Sequence, residues 1–320
     1  MSAPRLLQIA GNRRWLELAL DYRCNLRCLG CHACHDDGAR LSSTDAASLL
    51  REGRARGIAS LWIGGGEPTL RDDLFALVKT ARSLGYARVL VQTNGMRLAY
   101  AAYADALVAA GVTDVSVNVK SHRAETHDRL SRADGCHALL VDALRGLATR
   151  GVPVSADVLL ARSTIVDLAE LVPFYASFGV KRFVLWLLSG ADVNDRDVVD
   201  EVPRMADLIP HLARAAEAAR AANVALVSLH TPPCTLPPAL RPLFEPASSL
   251  DLVVVGPDAR AFPLEESPFE GGAYVATCAE CSERPRCGGP RADYLRIHGD
   301  REFSAIDGLA RGDELGSQRG

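Results

Sequence analysis

The chain has 320 residues, of which 48% are hydrophobic and 23% charged, a composition typical of globular proteins with a sizeable core. Its formal net charge of −3 excludes a strong global attraction to nucleic acid or to anionic membranes. No apolar run approaches the roughly 20 residues that a membrane helix needs, and the N-terminus lacks the pattern of a secretory signal. We therefore expect a cytoplasmic protein with one large domain and a small appendage.

From residue 16 onward, short apolar runs alternate with amphipathic helical segments. Runs that are apolar along nearly their whole length predict parallel strands buried on both faces. A glycine follows most of the helical segments, as expected of helix stops. Six such units in series predict an α/β fold, a partial (β/α)6 TIM-like barrel. The predicted strands are residues 16–20, 60–63, 88–92, 114–119, 154–160 and 182–188.

The pattern changes after residue 223. Four prolines between residues 231 and 238 exclude a helix or a central strand and predict a rigid boundary. Beyond it, the apolar runs 252–255 and 261–264 predict a hairpin. The predicted parts are an N-terminal extension at 1–15, the barrel at 16–230, a cysteine-rich domain at 231–306 and a frayed tail at 307–320.

Nine cysteines in a cytoplasmic chain indicate metal or redox chemistry in preference to disulfides. The first group is Cys24, Cys28 and Cys31, which follow the first predicted strand at the spacing C-x3-C-x2-C. A structural zinc site uses four ligands, and Cys34, His32 or His35 would have to supply the fourth. An iron–sulfur cluster held by three cysteines instead leaves one iron open. Cys34 then has no assigned role.

The segment CNLRCLGC at residues 24–31 resembles the signature of the radical S-adenosylmethionine (SAM) superfamily. The sequence GGGEP at residues 64–68 stands where that family carries a second motif. The resemblance implies the six-unit partial barrel and a [4Fe-4S] cluster on the three cysteines whose open iron binds SAM. In the family, one electron cleaves SAM to methionine and a 5′-deoxyadenosyl radical, which abstracts a substrate hydrogen. One departure is Gly30, where family members usually carry an aromatic residue.

Polar residues at the strand ends are the candidate contacts of SAM and substrate. The resemblance implies that the glycine backbone and Glu67 contact the amino group of SAM, whereas the plain alternative for these glycines is a flexible turn. Lys120 is expected to meet the SAM carboxylate or a substrate anion, with a solvated rim lysine as the alternative. Asp157 interrupts an apolar strand and either faces the site or pairs with Arg162. The full set is Gly64, Gly65, Gly66, Glu67, Thr93, Asn94, Asn118, Lys120 and Asp157.

The second cysteine group, Cys278, Cys281 and Cys287, is followed by two glycines. It resembles the auxiliary-cluster segment of the SPASM and twitch subgroup of the radical SAM superfamily. Pro290 stands where the two-cluster version carries another cysteine, so the resemblance implies one auxiliary [4Fe-4S] cluster with Cys234 as its fourth ligand. The alternative is a four-cysteine zinc site that joins the C-terminus to the barrel.

These features predict an enzyme that cleaves SAM and completes an oxidative modification with the help of the auxiliary cluster. The predicted substrate is a ribosomally made peptide or a small metabolite, and the predicted electron donor is a flavodoxin or ferredoxin. Two other classes stay open: a zinc-containing, non-catalytic binding protein, and a radical SAM enzyme that modifies RNA. The negative net charge and the absence of a basic, aromatic-rich patch argue against the last.

Overall fold

The computed structural model describes residues 13–31, 38–190, 196–267 and 271–307. Most of the predicted N-terminal extension lies outside these ranges. Cys34 and residues 308–320 of the tail also lie outside them. The strands are β1 (Trp15–Ala19), β2 (Ser60–Gly64), β3 (Arg88–Thr93), β4 (Asp114–Val119), β5 (Val154–Leu160), β6 (Val180–Leu187), β7 (Ala225–Ser228), β8 (Leu252–Val255) and β9 (Ala261–Pro263).

Helices connect the successive strands, and 310 turns occupy several loops. The α-helices are α1 (Ser43–Ala55), α2 (Leu74–Ser83), α3 (Ala101–Ala110), α4 (Ala124–Ser131), α5 (Cys136–Thr149), α6 (Arg162–Ile165), α7 (Leu168–Ala176), α8 (Arg196–Glu201), α9 (Met205–Ala221), α10 (Arg284–Cys287) and α11 (Ala292–His298). None of the helices in the described ranges is long and apolar enough to cross a membrane.

The nine described strands form one open sheet in the order β7-β6-β5-β4-β3-β2-β1-β8-β9. All neighbours pair in parallel except β8 and β9, which form the predicted antiparallel hairpin. The six predicted strands are therefore confirmed, and the sheet is not a closed barrel. It is wider than expected because the apolar run at 225–228 adds a seventh parallel strand and because β8 pairs with β1.

The two faces of the sheet differ in character. On one face, residues such as Leu18, Ile63, Val117 and Val158 are at most 1% exposed and belong to one large core packed against the helices. The alternate residues point to the opposite, interior face of the partial barrel, and many of them are polar. This alternation explains how strands that read as nearly apolar still carry polar side chains on the interior face.

Apolar side chains fill part of the interior between the two sides of the sheet. Leu250, in a 310 turn before β8, packs against one small cluster around Val184 and Val227 and against another around Leu252 and Val254. The loops that follow the carboxyl ends of the parallel strands form the edge at which α/β proteins place their sites.

Candidate active site

The Cys24–Cys31 loop leaves β1 at the carboxyl edge of the sheet and is fixed by backbone hydrogen bonds. The N–H of Leu29 donates to Leu130 O at 2.9 Å, and the N–H of Arg27 donates to Ser131 O at 3.4 Å, both at the end of α4. Within the loop, Leu26 N–H donates to Cys24 Sγ at 3.3 Å. All three thiols are partly exposed, so the loop presents three soft ligands at one edge of the interior.

Burial raises the pKa of the Cys24 thiol to about 11, and the nearby Glu67 and Cys28 add to the shift. In the metal-free chain this thiol is therefore protonated at neutral pH. A metal ligand must be a thiolate, so metal binding at this loop releases protons.

The glycine loop at 64–66 lies directly against the base of the cysteine loop. Gly66 N–H donates to Asp21 O at 2.7 Å, and Glu67 N–H donates to Arg23 O at 2.8 Å. Gly65 has φ +111°, and a Cβ there would lie 2.4 Å from Asp21 O. Only glycine permits this close approach, which joins the two motifs into one unit.

Glu67 is only 1% exposed, and its carboxylate joins the ends of β2 and β3. Thr69 donates from its N–H and its hydroxyl to Oε1 at 3.0 and 2.6 Å, and the Thr93 hydroxyl donates to the same oxygen at 2.7 Å. Asn94 N–H donates to Oε2 at 2.7 Å. Burial raises the pKa of Glu67, and these donors act against that shift. The sequence assigned Glu67 only to a ligand; here it also positions the residues around it.

Asn94 extends this contact to the cysteine loop, because its side-chain amide donates to Asn25 Oδ1 at 2.8 Å. The predicted residues Glu67, Thr93 and Asn94 are thus brought together beside Cys24. None of these contacts tests a role in binding SAM, which stays a prediction.

The packing around Gly30 leaves no room for the aromatic residue that family members usually carry at this position. Its φ is +66°, and a Cβ at this position would lie 2.1 Å from Cδ1 of Leu188, which follows β6. A larger side chain would need the loop or Leu188 to move. The cysteine loop therefore packs here against the end of β6.

Asn118 and Lys120 lie on the same side of the chain at the end of β4, as predicted. Lys120 is 2% exposed, and its Nζ donates to Asn118 Oδ1 at 2.7 Å. Among the described residues, no carboxylate forms an ion pair with it. A buried ammonium held only by a neutral amide is well suited to bind an anion. The alternative of a solvated rim lysine is wrong for this position.

Asp157 is 3% exposed on the interior face of β5 and accepts three hydrogen bonds. Ser116 Oγ and Gln92 Nε2 donate to Oδ2 at 2.7 and 2.8 Å, and Trp186 Nε1 donates to Oδ1 at 3.0 Å. Burial raises the pKa of Asp157, against these donors. The alternative pairing with Arg162 is wrong, because the Arg162 Nε donates to Val202 O instead. Asp157 thus orders polar groups from three other strands.

The C-terminal cysteines lie around one cavity. Cys234 sits in a 310 turn in the loop after β7, Cys278 in another 310 turn, and Cys287 at the end of α10. Cys234, Cys278, Cys281 and Cys287 line the same cavity, together with prolines 232, 233 and 290. In the described ranges, no three His, Cys, Asp or Glu side chains lie close enough to hold a single metal ion. The four sulfurs therefore surround a space instead of converging on a point.

Two charged residues that the sequence reasoning missed support the first site. Asp21 is 3% exposed directly after β1, and Arg71 Nη1 lies 3.4 Å from its Oδ2. Arg23 Nη2 lies 3.2 Å from the same oxygen. A charged residue directly after an apolar strand was a signal, but its partner 50 residues away cannot be inferred from spacing.

Residues 21–175 match the family model of the radical SAM superfamily. The chain is 28% identical over 172 residues to a probable GTP 3′,8-cyclase of Saccharolobus islandicus, covering 53% of this chain and 55% of that protein. It is 32% identical over 121 residues to a probable GTP 3′,8-cyclase of Methanothermobacter thermautotrophicus, covering 37% and 39%. The chain thus spans about half or less of the length of these curated relatives.

Solved structures share the fold at low sequence identity. The crystal structure of Streptococcus suis SuiB bound to S-adenosylmethionine has a TM-score of 0.69 and 16% identity, covering 92% of this chain and 76% of SuiB. SuiB has also been solved bound to its precursor peptide SuiA, with a TM-score of 0.68. The structure of anSMEcpe with bound AdoMet and the Cp18Cys peptide has a TM-score of 0.65 and 14% identity, covering 91% and 92%.

Proposed function

This chain is a radical SAM enzyme, and we propose that it oxidises a small polar substrate with the help of an auxiliary [4Fe-4S] cluster on its C-terminal cysteines. The observation that carries the proposal is the placement of the two cysteine sites. The Cys24–Cys31 loop follows β1, and Cys234 follows β7, so both sites lie at the carboxyl edge of one sheet. A substrate in the polar interior would lie between them.

The first site fits the cluster and SAM of the family. Three thiols are presented on a loop that is fixed by backbone hydrogen bonds, and the glycine loop packs directly against the base of that loop. When bound, the cluster and SAM supply a 5′-deoxyadenosyl radical that removes a hydrogen atom from the substrate. The role of the chain is to hold both motifs in register and to exclude water and stray hydrogen donors.

The C-terminal site fits a cluster better than a zinc ion. Zinc holds each sulfur at about 2.3 Å in a tetrahedron, which brings neighbouring sulfurs within about 4 Å. The four thiols here surround a shared cavity instead. The N–H of Ile306 donates to Cys281 Sγ at 3.4 Å, and the backbone N–H groups of Ser304 and Gly289 oppose the rise in pKa that burial causes at Cys234 and Cys287. Such donors favour the thiolate form that a cluster requires.

The interior charge favours a substrate with few anionic groups. The charged residues that the described strands place on the interior face, together with Lys120, are three acids and three bases: Glu17, Asp114, Asp157, Arg88, Arg182 and Lys120. Arg88 pairs with Asp114, and Arg182 pairs with Glu245. Among these residues of the described strands and Lys120, that leaves Lys120 as the cation available for one anion, the carboxylate of SAM or of the substrate. A triphosphate would need several cations.

The charge of the interior argues against the activity that is named for the curated relatives. GTP carries a triphosphate, so we do not expect this chain to act on GTP although those relatives are named GTP 3′,8-cyclases. The precursor peptide SuiA is bound by SuiB, a protein with which this chain shares only the fold. GTP and a peptide are therefore the two alternative substrates that the test distinguishes.

The test follows 5′-deoxyadenosine in anaerobically reconstituted enzyme with dithionite as reductant. We expect slow basal formation that a small-molecule cell fraction stimulates, whereas GTP and a peptide fraction do not. Stimulation by GTP or by peptides alone would overturn the substrate class.

Lys120→Met should weaken binding of SAM or substrate by at least tenfold, because a buried charge contact is lost. Lys120→Arg is the matched control that keeps the charge.

A further inference from the structure

We propose that residues 303–306, called here the strap, raise the reduction potential of the auxiliary cluster by donating backbone N–H groups to its cysteine ligands. The inference rests on the proposed function, since it needs a cluster at the C-terminal site. It assigns a positioning role to a segment that carries no motif. None of the strap residues would be a ligand.

Hydrogen bonds hold both ends of the strap against the residues next to Cys278 and Cys281. Phe303 is 5% exposed and packs edge-on against Tyr294, with ring centroids 5.6 Å apart. The Thr277 hydroxyl donates to Phe303 O at 3.3 Å. Ser282 donates to Ile306 O from its N–H at 2.9 Å and from its hydroxyl at 2.8 Å. Thr277 directly precedes Cys278, and Ser282 directly follows Cys281, so the strap crosses this pair of ligands.

Between these hydrogen bonds, the strap donates to one cysteine sulfur and lies beside a second cysteine from a distant part of the chain. Ile306 N–H donates to Cys281 Sγ at 3.4 Å. Ser304 lines the cavity beside Cys234, in the proline-rich loop after β7, and its backbone N–H opposes the rise in the pKa of the Cys234 thiol that burial causes. One short segment therefore contacts both the barrel-side ligand and the C-terminal ligands. It also covers the cavity that the four cysteines line, since Ser304 is part of the cavity wall.

The physical effect of these contacts has a definite sign. Reduction adds negative charge that is shared by the cluster and its sulfurs, and an N–H dipole aimed at a sulfur stabilises that charge. The strap therefore makes reduction more favourable. A cluster held by Cys234, Cys278, Cys281 and Cys287 would supply an acceptor for one electron of the substrate radical, and loss of one proton to water would then leave a closed-shell product. A higher potential makes the cluster a better acceptor of that electron.

The experiment removes single N–H groups from the full-length chain. Ile306→Pro and Ser304→Pro each delete one donor, and Ile306→Ala and Ser304→Ala are controls that keep it. All four are made together with Cys24→Ala, Cys28→Ala and Cys31→Ala, so that only the C-terminal cluster titrates. The readouts are iron per chain and the midpoint potential from a redox titration followed by electron paramagnetic resonance.

We expect both proline variants to keep their iron and to titrate at a lower potential than their alanine controls. A tenfold weaker stabilisation of the reduced cluster corresponds to 59 mV for a one-electron couple. Potentials equal to the controls, with iron retained, would overturn the strap's role while leaving the proposed function intact. Zinc or no metal at this site in the parent variant would overturn both.

If a proline variant loses its cluster, Ser282→Ala serves as a second probe. It removes one of the two hydrogen bonds that fasten Ile306 and leaves all ligands and N–H donors in place. We expect a smaller shift of the potential in the same direction. An unchanged potential in Ser282→Ala, in a protein whose proline variants lose iron, would also count against the strap.

Discussion

Glu67 shows how one buried side chain can organise a site. A carboxylate at 1% exposure is tolerated only when its oxygens are hydrogen-bonded, and Glu67 has four donors from Thr69, Thr93 and Asn94. These donors come from the turn after β2 and from the end of β3. The carboxylate therefore fixes the spacing of two strand ends that the first site needs.

Replacing Glu67 by alanine should destabilise the fold and the site together. Glu67→Ala leaves four buried donors without their acceptor, and we expect a loss of about 2–4 kcal/mol in the free energy of unfolding. Urea unfolding of the metal-free protein measures it. Glu67→Gln keeps one acceptor oxygen and should lose less. Equal stability of the alanine variant and the wild type would show that the carboxylate does not hold these strand ends.

His127 gives the chain a pH dependence of known sign. It is 3% exposed beside Lys120, and burial lowers its pKa to about 3. The unfolded chain, with a histidine pKa of about 6.5, binds a proton that the folded chain does not. Stability should therefore fall as the pH falls below about 6.5, by about 2 kcal/mol at pH 5 relative to pH 8 from this residue. Burial also lowers the pKa of His137, which acts in the same direction.

The measurement is urea unfolding of the metal-free wild type and of His127→Phe at both pH values. The variant should lose most of the difference that His127 contributes. A variant with the same pH dependence as the wild type would assign the effect to other groups.

At the scale of elements, the glycine loop and the cysteine loop act as one unit. Two glycines with similar backbone test this directly. Gly65→Ala would place a Cβ 2.4 Å from Asp21 O, whereas Gly57→Ala, at φ +84°, meets nothing within 4 Å. Both variants carry the strain of a positive φ, about 1–2 kcal/mol. Only the first should also separate the two loops.

We therefore expect Gly65→Ala to weaken SAM binding by at least tenfold, as measured by equilibrium dialysis with the reconstituted protein. Gly57→Ala should bind SAM like the wild type and show only the loss of stability. If the two variants bind SAM equally well, the close approach of the loops does not matter for the cofactor.

Elements with a strong local signal could be predicted, and contacts between distant segments could not. The apolar runs predict β1 to β6 and the β8–β9 hairpin because most residues of a buried strand are themselves apolar. The pairing of β8 with β1 has no such signature, because edge pairing depends on backbone groups that every residue carries. The strap was missed for the same reason, since its N–H donors belong to Ser304 and Ile306 whatever their side chains.

The site residues divide in the same way. The cysteine spacing marks both groups as candidate ligands, and polar residues on the strands mark Asn118, Lys120 and Asp157 as candidate contacts; these roles stay predictions. The partners of Asp157 could not be inferred, because Gln92, Ser116 and Trp186 come from three other strands and meet it only through the sheet register. Arg162, its nearest basic residue in the sequence, points elsewhere.

At the scale of the whole molecule, the C-terminal part shares the sheet with the barrel. β8 extends it beside β1, and Arg291 joins α11 to β6. Arg291 Nη1 donates to Leu187 O at 2.8 Å, and Gly190 N–H donates to Asp293 Oδ2 at 2.8 Å. Arg291 and Asp293 are 4% and 6% exposed and pair with each other. The cysteine-rich part is therefore positioned relative to the interior by buried contacts.

Breaking this ion pair should destabilise the molecule as one unit. Asp293→Ala leaves a buried guanidinium without its carboxylate, and we expect a loss of about 3–5 kcal/mol. Asp293→Asn, which keeps an acceptor for Gly190, should lose less. Denaturant unfolding followed by fluorescence and by circular dichroism should give coincident transitions. Two separate transitions would mean that the C-terminal part unfolds independently of the sheet.

The central claim is that two iron–sulfur sites face one substrate cavity. The most direct measurement is iron and zinc per chain after anaerobic reconstitution, in the wild type and in a variant with Cys24, Cys28 and Cys31 changed to alanine. We predict about eight irons in the wild type and about four in the variant, one cubane for each cysteine group. About four irons with one zinc in the wild type would make the C-terminal site structural, and zinc alone at both sites would contradict the account.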